Sequence, residues 1–350
     1  MATMAQAIRL ALHHAEREMG VRDIFGQDVG PPLGGVFGVT QGLETAWNTP
    51  LDERGIIGTA MGLAMAGQKP ICEIQFVDYI FNSIDLMKLA GNSAWNSAGQ
   101  FPMQMVLMSP TGSGIHGSIY HSHSFEAWAA RLNGWKVVMP SDPITAYGLM
   151  LAAVEDPNPV LYLIPKALMR VEGKELLPEE PDKKTLKAMI DAPLGDRGEW
   201  KPRWPAIPRF ITPIGQAHVV RGGEHVSIVS FGRMLWVCLK AAETLQQEGI
   251  SAEVIDLRSI IPYDWKTISK SILKTGRVMF VNEDTDIVNY GEHLLRRTID
   301  AHFYDLKARP RVLGGEPVPG IGLAETLEDA SVPQSGTVVQ AARDMMEENT

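Results

Sequence analysis

Glu243-Thr-Leu-Gln-Gln-Glu-Gly249-Ile-Ser-Ala252-Glu-Val-Ile-Asp-Leu257 is the stretch from which the fold class follows. A helical pattern closes at Gly249, a residue suited to a left-handed C-cap, and a β-rich run begins at once and ends at Asp256 and Arg258. A helix that turns directly into an apolar strand is half of a βαβ unit. The same alternation surrounds it, with strands predicted at 226–230, 252–256 and 277–281 and helices at 234–248, 264–273 and 288–303. It also fills the first half of the chain. There the predicted strands are 22–25, 71–75, 103–108, 136–139 and 160–164, with helices at about 55–66, 82–97, 124–133 and 142–154. Residues 1–20 read as an amphipathic helix capped by Thr3. The pattern predicts an α/β protein with two parallel-sheet domains. Between them, 172–213 turns charged and proline-rich with little periodicity, so a domain at 1–171, an extended linker or insertion at 172–213 and a second domain at 214–350 are expected.

The 350 residues are 45% hydrophobic and 21% charged, enough for two cores, which excludes a disordered or fibrous chain. Lys and Arg number 32 against 41 Asp and Glu, a net charge of −9, and this acidity argues against nucleic acid or an anionic membrane as partner. Cys72 and Cys238 stand far apart in apolar stretches, which fits a reducing compartment and neither a disulfide framework nor a cysteine zinc site. The most apolar run, 56–67, is too short and glycine-rich to cross a bilayer, and no signal peptide is read at the N-terminus. A cytoplasmic location is expected, or the mitochondrial matrix for a eukaryotic mature chain.

Four segments carry candidate chemistry. Gly112-Ser-Gly114-Ile-His-Gly117 matches the GxGxxG dinucleotide pattern, with Asp142 as ribose acceptor. The polar, histidine-rich run after Gly117 does not open the helix that a pyrophosphate needs, and Asp142 comes late. His116, His121, His123 and Glu126 have the makings of a divalent-metal cluster of the cupin kind, but cupins are all-β. Loop histidines of this kind more often donate protons or satisfy polar neighbours. Asn48-Thr-Pro-Leu51-Asp52-Glu53-Arg54-Gly55 feeds a small-residue helix, and by itself reads as a favourable helix cap. Glu73-Ile-Gln75-Phe-Val-Asp78-Tyr79-Ile-Phe81 puts polar groups at a strand end, where they could simply cap a sheet.

Together these segments resemble, in order and nearly in spacing, the beta subunit of the thiamine-diphosphate-dependent decarboxylating component of 2-oxoacid dehydrogenases. The branched-chain and pyruvate types are the nearest. The motifs are Gly26-Gln-Asp-Val29, Gly34-Gly-Val-Phe37, Thr49-Pro-Leu-Asp-Glu53 and Glu73 to Phe81, then Gly117-Ser-Ile-Tyr-His-Ser122, Glu155-Asp-Pro-Asn-Pro159 and Pro165-Lys166. The similarity covers 4–170 and returns more weakly over 210–310. It implies a pyrimidine-binding domain followed by a transketolase C-terminal-like domain. It also implies a cofactor shared with an alpha subunit in an α2β2 heterotetramer, the alpha chain holding the diphosphate and its Mg2+. In keeping with this, the chain has no GDG motif followed by a distant asparagine pair, Gly195-Asp-Arg not being one.

The resemblance implies a role for each matching residue. Glu53 would hydrogen-bond the cofactor's pyrimidine ring and favour the tautomer that activates the thiazolium carbon. Leu51, Gln75 and Tyr79 would line the pyrimidine pocket, with Tyr79 packing on the ring. His121 would face the reacting carbon and help pass the acyl group to the lipoyl arm of an acyltransferase core. Asp156 and Asn158 match a monovalent-cation site, for K+, with a proline-enforced turn as the alternative. The implied function is oxidative decarboxylation of a 2-oxo acid. Its rivals are an acetoin-cleaving or transketolase-like enzyme subunit and a non-catalytic assembly subunit that keeps the fold. Gln27 stands where the family usually has an acid, His123 replaces the Gln of His-Ser-Gln, and 172–213 is longer than in the family. An amide cannot carry the proton an acid would pass between paired sites.

Overall fold

The structure, a computed structural model, describes residues 1–35, 37–193 and 200–348. Val36 of the Gly34–Phe37 motif and the Gly195-Asp-Arg segment lie outside them. Contacts divide the chain into two compact units, one of Met1–Pro110, Arg131–Ile164 and Leu168–Ile214, the other of Thr111–Ala130, Pro165–Ala167 and Gly215–Thr350.

The N-terminal unit opens with the helix Met4–Glu18, held by a capping box in which the Gln6 amide donates to Thr3 Oγ1 and the Thr3 amide to Gln6 Oε1. Its buried face, Met4, Ala7, Ile8, Ala11, Leu12 and Ala15, packs on the helix Pro143–Glu155. That second helix is buried almost throughout, and it starts at an Asp142 cap with Pro143 in its first turn. Six strands lie in the order Lys136–Val138, Val160–Pro165, Val106–Thr111, Ile71–Glu73, Ile24–Gly26 and Ala46–Asn48. Ile24 pairs in parallel with both Ala46 and Ile71, Ile71 with Val106, and Lys136 with Val160. The strands Ile71–Glu73 and Val106–Thr111 are buried along their whole length, which is why they read as continuous apolar runs without alternation.

The C-terminal unit contains a five-stranded sheet in the order Arg311–Gly315, Val278–Thr285, Val226–Ser230, Ala252–Asp256 and His218–Arg221. Only the last strand runs antiparallel to its neighbour. Gly249 sits at φ 81° just after the helix Gly232–Gln247, as the opening sequence motif requires. Val226, Ile228, Leu235, Cys238, Val254, Met279 and Val338 form part of one core cluster. The strands His218–Arg221 and Arg311–Gly315 and the helices Glu325–Ser331 and Ser335–Glu347 are additions to the sequence reading.

Three expectations differ in detail. Residues 111–130, read as part of a 1–171 domain, group with the C-terminal unit, because their backbone amides bond to Glu283 and Glu328. The expected extended linker 172–213 contains the helix Lys183–Ile190, capped by Asp182 and burying Leu186 and Ile190. It is fastened to the N-terminal unit. Arg9 donates to the Ile190 carbonyl at 2.6 Å and pairs with Asp191 at 3.0 Å, and Trp204 stacks on His13 at 4.0 Å. The helix expected at 124–133 is a single turn, Glu126–Ala129, cut short by turns that lead to Gly134 at φ 92°.

Candidate active site

The helix Glu53–Met65 starts at Asp52, whose carboxylate accepts from the Gly55 amide at 3.0 Å, and Glu53 occupies its first turn, where the helix dipole favours an anion. A 3-10 segment, Val77–Ser83, packs beside it and delivers Tyr79 and Asn82. The Asn82 amide donates to Glu53 Oε2 at 3.0 Å. Asn82 is held in turn. Its carbonyl accepts from Arg54 at 2.8 Å, its side-chain oxygen accepts from the Ser83 hydroxyl at 2.5 Å, and Arg54 forks onto both oxygens of Asp85. Burial raises the Tyr79 hydroxyl above its ordinary pKa, and the charges of Asp78 and Glu53 add to the rise, so Tyr79 and Glu53 share one environment. Tyr79 stands edge-on to Phe76 at 6.0 Å. Leu51, two residues before Glu53, is 68% exposed and Phe81 is 37% exposed. The result is a carboxylate with a fixed amide partner, flanked by accessible apolar and aromatic groups. Sequence reading missed Asn82; an amide three residues after Tyr79, on the tight turn facing Glu53, is the signal that marks it.

Gln75 sits on the strand-end loop and donates to Asp28 Oδ2 at 3.1 Å and to the Gln27 carbonyl at 3.4 Å. This links the Gly26–Val29 and Glu73–Phe81 motifs through side chain and backbone alike. Beneath it, Glu73 is wholly buried, and its Oε1 has no hydrogen-bond partner among the described residues. Burial pushes its carboxyl from 4.5 up to about 8. The folded chain therefore keeps a proton there that the unfolded chain releases, so stability falls as pH rises between about 4.5 and 8. Glu73→Gln is expected to remove most of that fall, on the order of 4 kcal/mol. Denaturant melts at pH 5 and pH 8 read it, and a variant that loses as much stability as the parent across this range contradicts it.

His121 lies in the C-terminal unit on the loop that contains the GxGxxG-like segment. The Gly112 amide donates to the His123 carbonyl at 2.9 Å and closes the loop. Ser113 donates from its amide at 3.0 Å and its hydroxyl at 2.6 Å to Glu283, whose carboxylate also faces Arg233 at 3.5 Å. The Gly114 and His116 amides donate to Glu328 at 2.6 and 3.2 Å, and His116 Nδ1 lies 2.7 Å from the same carboxylate. The amides that a dinucleotide pyrophosphate would need are thus already bound to carboxylates. Only a 3-10 turn, Ser118–Tyr120, follows, so the GxGxxG-like segment is no dinucleotide site. His116 and Ser118 hold left-handed backbone at φ 55° and 57°, at a cost of about 1 kcal/mol each. An added Cβ at Gly117 would come within 2.5 Å of the His121 carbonyl oxygen, so the loop folds tightly on itself at His121.

Glu126 does not join the histidines as a metal ligand. It is wholly buried, and its carboxyl is raised well above the ordinary range by burial first and by the Asp284 charge second. Asp284 is itself raised to about 6, chiefly by burial. Among the described residues no group of three or more His, Cys, Asp or Glu side chains is arranged to hold a metal ion. Asp284 lines a pocket of about 360 Å3 together with Ser122, His123, Glu283 and Pro317. At the expected cation site, Asp156 Oδ2 pairs with Lys136, and Asp156 Oδ1 accepts from both the amide and the side chain of Asn158, at 3.0 and 2.8 Å. That is an Asx turn with its carboxylate neutralised by an ammonium. Cys72 and Cys238 are buried and unpaired with each other, and burial pushes the Cys238 thiol up to about 12. No helix among the described residues is long and apolar enough to cross a membrane.

Comparison with known proteins accords with this layout. Residues 1–172 match the transketolase pyrimidine-binding domain and 215–338 the transketolase C-terminal domain. In fold, the chain matches a split-gene transketolase described as an inactive beta4 tetramer, with a TM-score of 0.74 and 18% identity over the whole of both chains. The molecule is thus a two-domain protein of the transketolase class, which is thiamine-diphosphate-dependent. Over 349 residues it is 34% identical to the 2-oxoisovalerate dehydrogenase subunit beta of Bacillus subtilis, covering 97% of each chain. It is 36% identical to the pyruvate dehydrogenase E1 component subunit beta of Acholeplasma laidlawii over 88% of this chain and 87% of that one. The chain belongs to the family of 2-oxoacid dehydrogenase beta subunits.

Proposed function

We propose that this chain is the catalytic beta subunit of a thiamine-diphosphate-dependent 2-oxoacid dehydrogenase. In this reading it acts with an alpha subunit to decarboxylate a 2-oxo acid and pass the acyl group to the lipoyl arm of an acyltransferase. The observation that carries the reading is Glu53, a helix-first-turn carboxylate fixed by Asn82 beside Tyr79 and open towards solvent. Such a donor set fits a flat aminopyrimidine, which offers exchangeable protons at its edge and an apolar face. Glu53 would hold the proton exchanged with the pyrimidine ring, Leu51 and Tyr79 would flank the ring, and Gln75 would keep the neighbouring loop in place through Asp28. When bound, thiamine diphosphate supplies a nucleophilic thiazolium carbon and the electron sink that decarboxylation needs. His121 would hold or give up the proton exchanged as the acyl group moves to its acceptor.

Two observations support partner dependence. The sequence has no diphosphate-and-Mg2+ motif, which leaves that half of the cofactor to the alpha chain. The Glu53–Met65 helix also exposes Gly58 and Gly62, where an added Cβ would meet no atom within 4 Å. This chain's packing does not require glycine at either position, whereas close approach of another subunit would. Potassium is no part of the proposal at Asp156 and Asn158, since both carboxylate oxygens of Asp156 are already engaged by Lys136 and the Asx turn.

Calorimetric titration of thiamine diphosphate with Mg2+ tests the reading. Saturable binding is expected in the complex with the alpha subunit and none with this chain by itself. An absence of binding in both preparations would overturn it in favour of a non-catalytic assembly subunit.

A further inference from the structure

The carboxylate of Glu328 is 2% exposed, yet the groups it binds belong to a surface loop. One oxygen accepts from the Gly114 amide at 2.6 Å; the other accepts from the His116 amide at 3.2 Å and faces His116 Nδ1 at 2.7 Å. Burying a carboxylate is costly unless charge-assisted donors surround it, and these amides and this imidazole all come from the Gly112–His123 loop. Those bonds fall where the backbone is least favourable, since His116 at φ 55° and Ser118 at φ 57° both occupy the left-handed region. Strain of this kind persists only where surrounding contacts over-determine it. Between them, Gly117 lies directly against the backbone of His121, and the His121 amide in turn donates to the Ser118 carbonyl at 3.3 Å. Gly320, at the start of the segment that leads into Glu328, leaves only 2.6 Å between an added Cβ and Ile119 Cγ2. The C-terminal segment therefore presses on the loop from a second side.

From this geometry we infer that Glu328 is a positioning residue for the histidine loop: it fixes His116 in its left-handed conformation and thereby sets where the loop presents His121. The inference rests on the role proposed above for His121. Glu328 touches no reacting group and acts through the Gly114–Gly117 backbone. Glu283, which binds Ser113 at the loop's entry, secures the base of the same loop, while Glu328 governs its turn.

Glu328→Gln keeps the size of the side chain and removes the charge. In the full chain, hydrogen exchange at the Gly114 and His116 amides is expected to accelerate about 10-fold. In the assembled enzyme, kcat for lipoyl acylation is expected to fall about 10-fold while KM for the 2-oxo acid changes less than about 2-fold. In a His121→Ala background the same substitution should add less than about 2-fold, because both changes act on one group. Unchanged amide exchange, or a full additional loss in the His121→Ala background, overturns the inference. If Glu328→Gln does not fold, His116→Asn tolerates left-handed backbone and removes only the ring contact. It should move both readouts in the same direction by a smaller factor, and no movement overturns the inference. Should His121→Ala itself leave acylation intact, the proposed role of His121 fails, while the amide exchange still decides whether Glu328 clamps the loop.

Discussion

Glu53→Gln in the assembled enzyme is expected to lower turnover about 10²- to 10⁴-fold, the usual contribution of a positioned acid or base, while the complex still forms. The substitution is nearly isosteric. The glutamine retains an oxygen that can accept from the Asn82 amide, so the contact at 3.0 Å and the Val77–Ser83 segment behind it survive. Losing the negative charge in the first turn of Glu53–Met65 costs only about 0.3–1 kcal/mol. What the amide cannot do is hold and return a proton. The measurements are steady-state turnover with a 2-oxo acid and sedimentation of the complex, and undiminished turnover sinks the mechanism. Loss of assembly together with activity would instead make Glu53 a structural residue.

His121→Ala is expected to separate two half-reactions. Lipoyl acylation should fall about 10²-fold or more, whereas decarboxylation followed with an artificial oxidant should fall less than about 10-fold. The reason lies in how the loop around it is held. His121 sits at the turn of a loop held by Gly112 to His123, Ser113 to Glu283, and Gly114 and His116 to Glu328, none of which involves its own imidazole. Truncating the ring leaves the donors and acceptors of those bonds in place. Equal loss in both assays would remove the acyl-transfer role and leave His121 with a part in decarboxylation or in loop stability.

Much of this molecule is legible in its sequence. The turn at Gly249 needs a left-handed residue, and the buried strands Ile71–Glu73 and Val106–Thr111 need unbroken apolar runs; both constraints are local and leave their mark on consecutive residues. The residues singled out at the candidate site, Leu51, Glu53, Gln75, Tyr79 and His121, came from motif order, which conveys residue type but not contact. Asn82 escaped notice because it matters only once the Val77–Ser83 segment lies against the Glu53 helix.

Tertiary contact also settled which of several local readings applied. Gly112–Gly117 has the spacing of a phosphate loop, and only the burial of Glu283 and Glu328 against its amides shows that its donors are taken. Those acids lie 170 and 214 residues away in the chain, beyond the reach of any pattern of spacing. The 172–213 stretch likewise reads as a linker because its prolines and charges hide Leu186 and Ile190, which become a buried face only when Arg9 fastens the end of their helix at Ile190 and Asp191. Backbone preference and apolar periodicity are properties of neighbours in the chain and can be read from it. Which buried charge meets which distant amide depends on how the chain folds back on itself, because an ion pair or hydrogen bond is decided within a few ångströms of space.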